Sequence, residues 1–525
     1  MVTQMQNNIK NVIVLMFENR SFDHILGAFP GVNGVLLQDG SGNVNPGNYN
    51  TQNPLLPPNP IYNPAFIPSP INLETQSKLV HDFNHNFGDG MMPDLFGPGT
   101  TGYKNGQPID SPPTTHPTTN CGFVSTIADN VTSSQYPSPP NGPAVMHYFE
   151  YNSLKVFHKL AAEFVICDNW FCDMPGDTLP NRAFMHCANS ATSAITNDPC
   201  ILDKGYNEPV TSPTIFGQIQ KYGLDWKMYS PGGQVDSSWL TEITGNPNAN
   251  VPIAQFCHDL QNGELPFYSF LCSFTASPPD TSMHLMDNVQ PGENYLAAVY
   301  NALRNSPYWE NTLLVVTFDE NGGMYDHVPP PATISPVVGN PVAISSWDEG
   351  NTPYKTCQFD FTLLGPRVPA LLISPWLSKG IDSTQYQNTS VLRYIQDLIA
   401  LNQPLTDAPL SLSQRDLYAP SIEKAFYYFG CQEMRTDCPQ YIEGYPYIGG
   451  GNICNPASAN FYSGKQSLLA PPQYLVNLTK KYLQGLPGHP DSGGIINKTF
   501  ETYAAMNDYS NERIEAADKY YAAKS

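Results

Sequence analysis

Basic side chains are scarce in this chain: 25 Lys and Arg stand against 46 Asp and Glu, a net charge of −21. That balance offers no footprint for a nucleic-acid backbone and slows approach to an anionic membrane. A negative protein can still hold phosphate where a metal and local donors reverse the field at one site. No apolar run reaches the length of a membrane span. No internal repeat and no double C-x-x-C zinc pattern is present. The opening residues Met1–Asn8 lack the charged-then-apolar pattern of a leader. The chain therefore reads either as one that stays inside the cell or as one whose leader has been removed. Cysteine leaves the compartment open: there are 11, and Cys167/Cys172, Cys187/Cys200 and Cys431/Cys438 are close enough in sequence to be candidate bridges. Sequons at Asn130, Asn388, Asn477 and Asn497 permit secretion. With the loop richness and low lysine, the balance tilts toward an exported protein.

What is present is a long chain with an ordinary core composition. Its 525 residues can bury a large core, and 41% hydrophobic with 12% aromatic residues argue against disorder. The 51 prolines and 39 glycines imply long irregular connections. Two apolar runs end in polar clusters. Thr312–Phe318 leads into Asp319-Glu320-Asn321-Gly322-Gly323-Met324-Tyr325-Asp326-His327, and Asn11–Phe17 leads into Glu18-Asn19-Arg20-Ser21-Phe22-Asp23-His24. Both runs read as buried parallel strands, whose C-terminal edge is where open α/β sheets place ligands. Adjacent carboxylates in one cleft repel unless a cation or a proton intervenes. Each cluster taken alone reads equally well as a polar turn; Ser21 or Asp23 would cap a short helix there.

Further strands are expected at 164–167, 224–229, 267–274 and 368–374, and helices at 144–163, 214–222, 293–304 and 390–401. The alternation predicts an α/β fold with a mostly parallel sheet. Residues from about 38 to 140 read as an elaborate loop insertion. Within it His81 and His85 could ligate a metal, donate to phosphate, or simply bond within the loop. Thr178 sits just before a predicted helix with Pro180 in its first turn. There its hydroxyl faces free backbone N–H groups and the positive end of the helix dipole, a position that suits a nucleophile or an N-cap. Residues 1–410 read as the catalytic unit and 411–525 as a C-terminal extension. Oxygen donors at Glu18, Asn19, Thr178, Asp319 and Glu320, without cysteine, favour Ca²⁺, Mg²⁺ or Mn²⁺, with Zn²⁺ possible but oddly ligated.

The three motifs Glu18–His24, Thr178-Leu179-Pro180-Asn181-Arg182 and Asp319–His327 followed by Val328-x-Pro330 resemble the signatures of one phosphoesterase family. It contains phosphatidylcholine-type and non-specific phospholipases C and related acid phosphatases. Arg367-Val368-Pro369 and Ile373-Ser374-Pro375 match as well, so the resemblance spans roughly 9–405. It implies an alkaline-phosphatase-like core and one metal held by Glu18, Asn19, Asp319 and Glu320, with Thr178 as nucleophile and metal contact. It also implies that His85 and His284 face the phosphate as donors or leaving-group acid. His81, Asn181, Arg182 and His327 are expected substrate contacts. Many members carry a histidine where this chain has Asn388, which weakens the case for a second metal or an acid there. The Thr178-x-Pro180-x-Arg182 spacing is also that of sulfatases, but their formylglycine needs Cys or Ser. The expected substrate is a soluble phosphate ester or a phospholipid, with residues 61–70, 91–96 and 170–171 as a candidate apolar entrance. The remaining reading is a non-catalytic binding module on the same scaffold.

Overall fold

In the computed structural model the two apolar runs are neighbours. The structure describes residues 8–51, 65–71, 83, 85, 87–104, 107–109, 120–130, 144–190, 212–231, 236, 240–273, 281–285, 288–336, 343–347, 355–402 and 409–445. Strands β1 (Asn11–Phe17), β2 (Val165–Cys167), β3 (Trp226–Ser230), β4 (Val251–Pro252), β5 (Tyr268–Cys272), β6 (Thr312–Phe318), β7 (Ala370–Ile373) and β8 (Gly380–Asp382) form one eight-stranded sheet in the order β4-β3-β5-β1-β6-β7-β2-β8. All pairings are parallel except those of β7, which runs against β6 and β2. The expected α/β class with a mostly parallel sheet is the one observed. The reversal of β7 is invisible in an apolar run, which carries no direction.

The register explains the site. Asn11 pairs with Thr312 and Phe17 with Phe318, so Glu18 and Asp319 leave the sheet side by side at its C-terminal edge. β1 and β6 are buried along their whole length, as central strands with neighbours on both edges require. The helices that cover the sheet include α1 (Phe22–Leu26), α2 (Phe157–Glu163), α3 (Thr178–Cys187), α4 (Ile215–Lys221), α5 (Ile253–Asn262), α6 (Val289–Arg304) and α7 (Thr389–Asn402). Most of them lie within a few residues of the sequence-based spans. The exception is the helix expected over 144–163: Ala144–Met146 is a 3-10 turn, His147–Phe149 a short strand, and only α2 is helical. His147–Phe149 pairs with Ser69–Ile71 of the insertion instead, a tertiary partner that outweighs helical periodicity.

Among the described residues two large apolar cores result, beside a small cluster of Ala28, Val35 and Tyr148. The first packs the sheet against its helices and includes Leu314, Val316 and Leu372. It also takes in Ile422, Phe426 and Ile442 from the stretch expected to open the C-terminal extension. The second is built from the insertion and the site loops: Phe83, Phe87, Met91, Met92, Leu95, Phe123, Met174, Leu285, Met324 and Phe359 are among its members. Met91 and Leu95 of the expected entrance are therefore packing residues, as is Trp170 in the first core, while 61–64 lie outside the described residues. Cys167, Cys172, Cys187, Cys431 and Cys438 are free thiols, so the three sequence-adjacent bridges do not form; Cys257 is disulfide-bonded.

Candidate active site

The turn after β1 carries the site's most constrained residue. Asn19 has φ 61°, in the left-handed region that asparagine tolerates better than most side chains. Its backbone N–H donates to Asp319 Oδ1 (3.3 Å), and the Arg20 N–H donates to the Glu320 carbonyl (3.1 Å). Gly322 lets the two turns close: at φ +63° an added Cβ would meet Asn19 O at 2.5 Å, Asn19 Cβ at 2.8 Å and Leu285 Cδ1 at 2.8 Å. Asp319 and Glu320 are fully buried.

Thr178 reaches this turn from the start of α3. It is the first helical residue, preceded by an Asp177 N-cap that makes no side-chain cap bond, and not itself the cap. Its hydroxyl donates to Asn19 Oδ1 at 3.2 Å, which leaves the amide nitrogen of Asn19 facing His284 Nε2 at 3.1 Å and His85 Nε2 at 3.4 Å. His85 Nδ1 bonds the Phe83 carbonyl at 2.6 Å, so it carries a hydrogen and leaves Nε2 facing inward. The same Nε2 lies 3.4 Å from Glu320 Oε1 and 3.7 Å from Asp177 Oδ1. Three segments remote in sequence thus converge on Asn19, and a fourth places His284. Arg20 holds that fourth segment: its Nε donates to the Met283 carbonyl at 2.6 Å and its Nη2 to the His284 carbonyl at 3.0 Å. Burial, with the Arg20 charge beside it, drives His24 well below its ordinary pKa, so it stays neutral and accepts from Arg20 Nη1 at 2.8 Å.

Arg182 and Asn181 do other work than the substrate contact expected of them. Arg182 is buried with its fork spent on carboxylates: Nε donates to Asp319 Oδ2 (2.9 Å), Nη2 to Glu18 Oε1 (3.4 Å) and Nη1 to Asp236 Oδ2 (3.1 Å). The Asn181 amide is consumed by the 174–177 loop, accepting from Met174 N–H (3.1 Å) and donating to the carbonyls of Met174 (3.1 Å), Gly176 (3.0 Å) and Asp177 (3.1 Å). His327 bonds Asp23 Oδ2 (2.8 Å) and Asn33 Oδ1 (3.1 Å), in a separate cluster of charges. His81 lies outside the described residues. Asn388 ties the end of β6 in place, donating to the carbonyls of Phe318 and Asp319 at 3.2 Å each, and accepts from Trp170 Nε1 at 2.8 Å. The sequence reading missed Asp236, which backs Arg182 and also bonds His186 Nε2 at 2.8 Å. Burial would raise its carboxyl, yet Arg182 and His186 hold it at about 2. Nothing in the sequence near 236 announces that partner.

The donor set fits a divalent cation. Arg182 bridges the carboxylates of Glu18 and Asp319, beside the adjacent buried Glu320, and its guanidinium is shared with Asp236. Burial lifts the Asp319 carboxyl to about 6; Arg182 pulls it down and Glu18 pushes it further up. Anionic charge is thus in excess there, and every candidate ligand atom is oxygen, as hard cations prefer.

A model of the phosphoesterase family matches residues 9–402. Non-specific phospholipase C4 of Arabidopsis thaliana is 30% identical over 454 residues, 83% of this chain and 74% of that protein. Non-hemolytic phospholipase C of Burkholderia pseudomallei is 26% identical over 439 residues, 74% of this chain and 55% of its own. A Vibrio parahaemolyticus protein of the alkaline phosphatase superfamily overlaps 50% of this chain and 63% of its own at 15% identity; its TM-score of 0.30 carries no argument.

Proposed function

Since the chain belongs to the phosphoesterase family and is a phosphoric ester hydrolase, we propose that it cleaves phospholipids in the manner of a phospholipase C, with Thr178 as nucleophile and one divalent cation. The observation that carries the nucleophile is its placement: a hydroxyl at the first residue of α3, 3.2 Å from Asn19 Oδ1, with two imidazole nitrogens gathered on the same amide. What supports the lipid half of the reading is the likeness over 83% of the chain to a non-specific phospholipase C. Glu18, Asn19, Thr178, Asp319 and Glu320 would hold the cation, which when bound lowers the hydroxyl's pKa and polarises a phosphoryl oxygen.

The chain's own groups then have defined tasks. Thr178 Oγ1 passes its proton to one imidazole of the His284/His85 pair and forms a bond to phosphorus as the bond to the diacylglycerol oxygen breaks, and that oxygen takes a proton from the pair. Water next attacks the phosphothreonine, surrendering a proton to an imidazole of that pair; the bond from phosphorus to Thr178 Oγ1 breaks, the phosphorylated head group leaves, and the imidazole returns its proton to Oγ1. Backbone N–H groups at the start of α3 stabilise the equatorial oxygens. Arg182 keeps Glu18 and Asp319 in place.

The test is a paired assay on metal-replete protein, with phosphatidylcholine micelles beside p-nitrophenyl phosphate. Diacylglycerol release supports the lipase reading; monoester cleavage alone replaces it with an acid-phosphatase-like one. Thr178→Ala is expected to lower turnover by about 10³-fold or more while metal content and folding persist. Undiminished turnover removes Thr178 from its role, and silence of the wild type on both substrates returns the protein to a binding module.

A further inference from the structure

Behind the site lies a second, self-contained charge cluster. Asp23 Oδ2 faces the backbone N–H of His327 (2.7 Å) and its Nδ1 (2.8 Å), while Asp326 Oδ2 accepts the Asp23 N–H (3.2 Å). Two carboxylates and an imidazole within 4.8 Å of one another form a donor set of the kind that holds a cation. Here the cation is a side chain. Arg367 Nε donates to Asp326 Oδ1 (2.8 Å) and Nη2 to Asp23 Oδ1 (3.0 Å), and Nη1 donates to the carbonyls of Asn33 (2.8 Å) and Asp168 (2.7 Å). The Arg367 carbonyl accepts the Phe22 N–H at 3.1 Å. One buried guanidinium thus joins the loops after β1, β2 and β6 to the lead-in of β7.

Charge balance completes the picture. Asp23 and Asp326 are buried with two negative charges between them, and Arg367 neutralises one. The second positive charge is available from His327, whose two ring nitrogens both face oxygen, Asp23 Oδ2 and Asn33 Oδ1. The groups around it are Asp23 from α1, Asp326 from its own loop and Arg367. Asp168, after β2, stands one step back on the Asn33 N–H at 2.8 Å.

We propose that Asp23, Asp326, Arg367 and a protonated His327 form a lock that positions Glu320 for the reaction. The inference rests on the reading of Glu320 as a cation ligand. The 319–327 loop is anchored to the turn after β1 at its start, by Asn19 N–H on Asp319 Oδ1 and Arg20 N–H on the Glu320 carbonyl, and at its end, by Ser21 Oγ on the Tyr325 carbonyl (2.8 Å) and by the lock at residues 326 and 327. Between the anchors Gly322 and Gly323 sit at φ 63° and 69°, where the backbone has most freedom. With the lock open, the far side of the loop keeps its bonds to Ser21, Val145 and Asn120 but loses the ionic anchor at residues 326 and 327. Burial opposes the charge on His327, but Asp23 outweighs it and raises the pKa above its ordinary value. The charge on His327 is therefore lost, and the lock opens, as pH rises through that raised value.

The test uses His327→Gln, at a side chain only 14% exposed but on the rim, and Arg367→Lys, which keeps the charge and loses the fork. kcat, KM and melting temperature are measured between about pH 5 and 9. Expected are a kcat reduced about 10- to 100-fold with KM within about twofold, and the loss in His327→Gln of an alkaline fall that the wild type shows in both kcat and melting temperature. An alkaline fall in melting temperature that His327→Gln keeps overturns the lock, even if the wild type proves inactive on every ester tried. A Thr178→Ala variant that turns over at the wild-type rate would sink the functional reading instead and leave the melting result to stand.

Discussion

The two apolar cores serve the site in different ways. The sheet core holds the carboxylates: Glu18 and Asp319 follow β1 and β6, strands buried along their length and paired residue for residue. The second core holds the histidines. His85 stands between Phe83 and Phe87, and His284 precedes Leu285, all of them members of that core. It also includes Met91, Met92, Met146, Met174 and Met324, flexible side chains that fill irregular space and tolerate rearrangement. A rigid frame therefore carries the proposed cation ligands, and an adaptable one carries the histidines proposed to meet a leaving alcohol.

That contrast can be broken by substitution. The largest effect is expected in the frame: Leu314→Ala, at the middle of β6 between Ile13 and Ile373, should cost about 2–5 kcal/mol of global stability. Denaturant unfolding measures it, and a loss confined to activity would mean the sheet core is not the rigid partner. Next comes the seam. Gly322→Ala presses on Asn19 from the frame and Leu285 from the adaptable side, and is expected to weaken divalent-cation affinity about 10- to 100-fold with a near-normal melting temperature. Calorimetric titration with Ca²⁺, Mg²⁺ and Mn²⁺ measures it, and an unchanged affinity would show that the turns can part without loss. The smallest effect belongs to the second core, where Met92→Leu should cost less than about 1.5 kcal/mol. Its signature is a shift in the ratio of lipid to monoester turnover with cation affinity intact; a shifted affinity would erase the distinction between the cores.

Much of the frame was legible in the sequence because central parallel strands are continuous apolar runs, and Asn11–Phe17 and Thr312–Phe318 stand out from their loop-rich surroundings. The carboxylates could be named because each closes such a run. Roles that depend on which side chain spends its bonds where were not legible. Arg182 reads as a phosphate contact until its three carboxylate partners are seen, one of them Asp236, remote in sequence. Asn181 reads as a site residue until its amide is found closing its own loop. The helix expected at 144–163 failed because His147–Phe149 finds a strand partner in the insertion, where the local pattern gives no warning.

The order of the sheet also sets a timetable. β1 is made first, yet its partners are β5, at residues 268–272, and β6, at 312–318. At ribosomal speeds of roughly 5–20 residues per second, the wait is about 15–60 s. Until β5 is made, a strand as apolar as Asn11–Phe17 has no neighbour on either edge of this sheet, the condition that invites pairing with another chain. A nascent chain that stalls before residue 312 holds Glu18 and Asn19, two of the five proposed cation ligands, after a strand that still lacks its β6 partner. Synthesis beyond that point is what first brings Glu18 and Asp319 together.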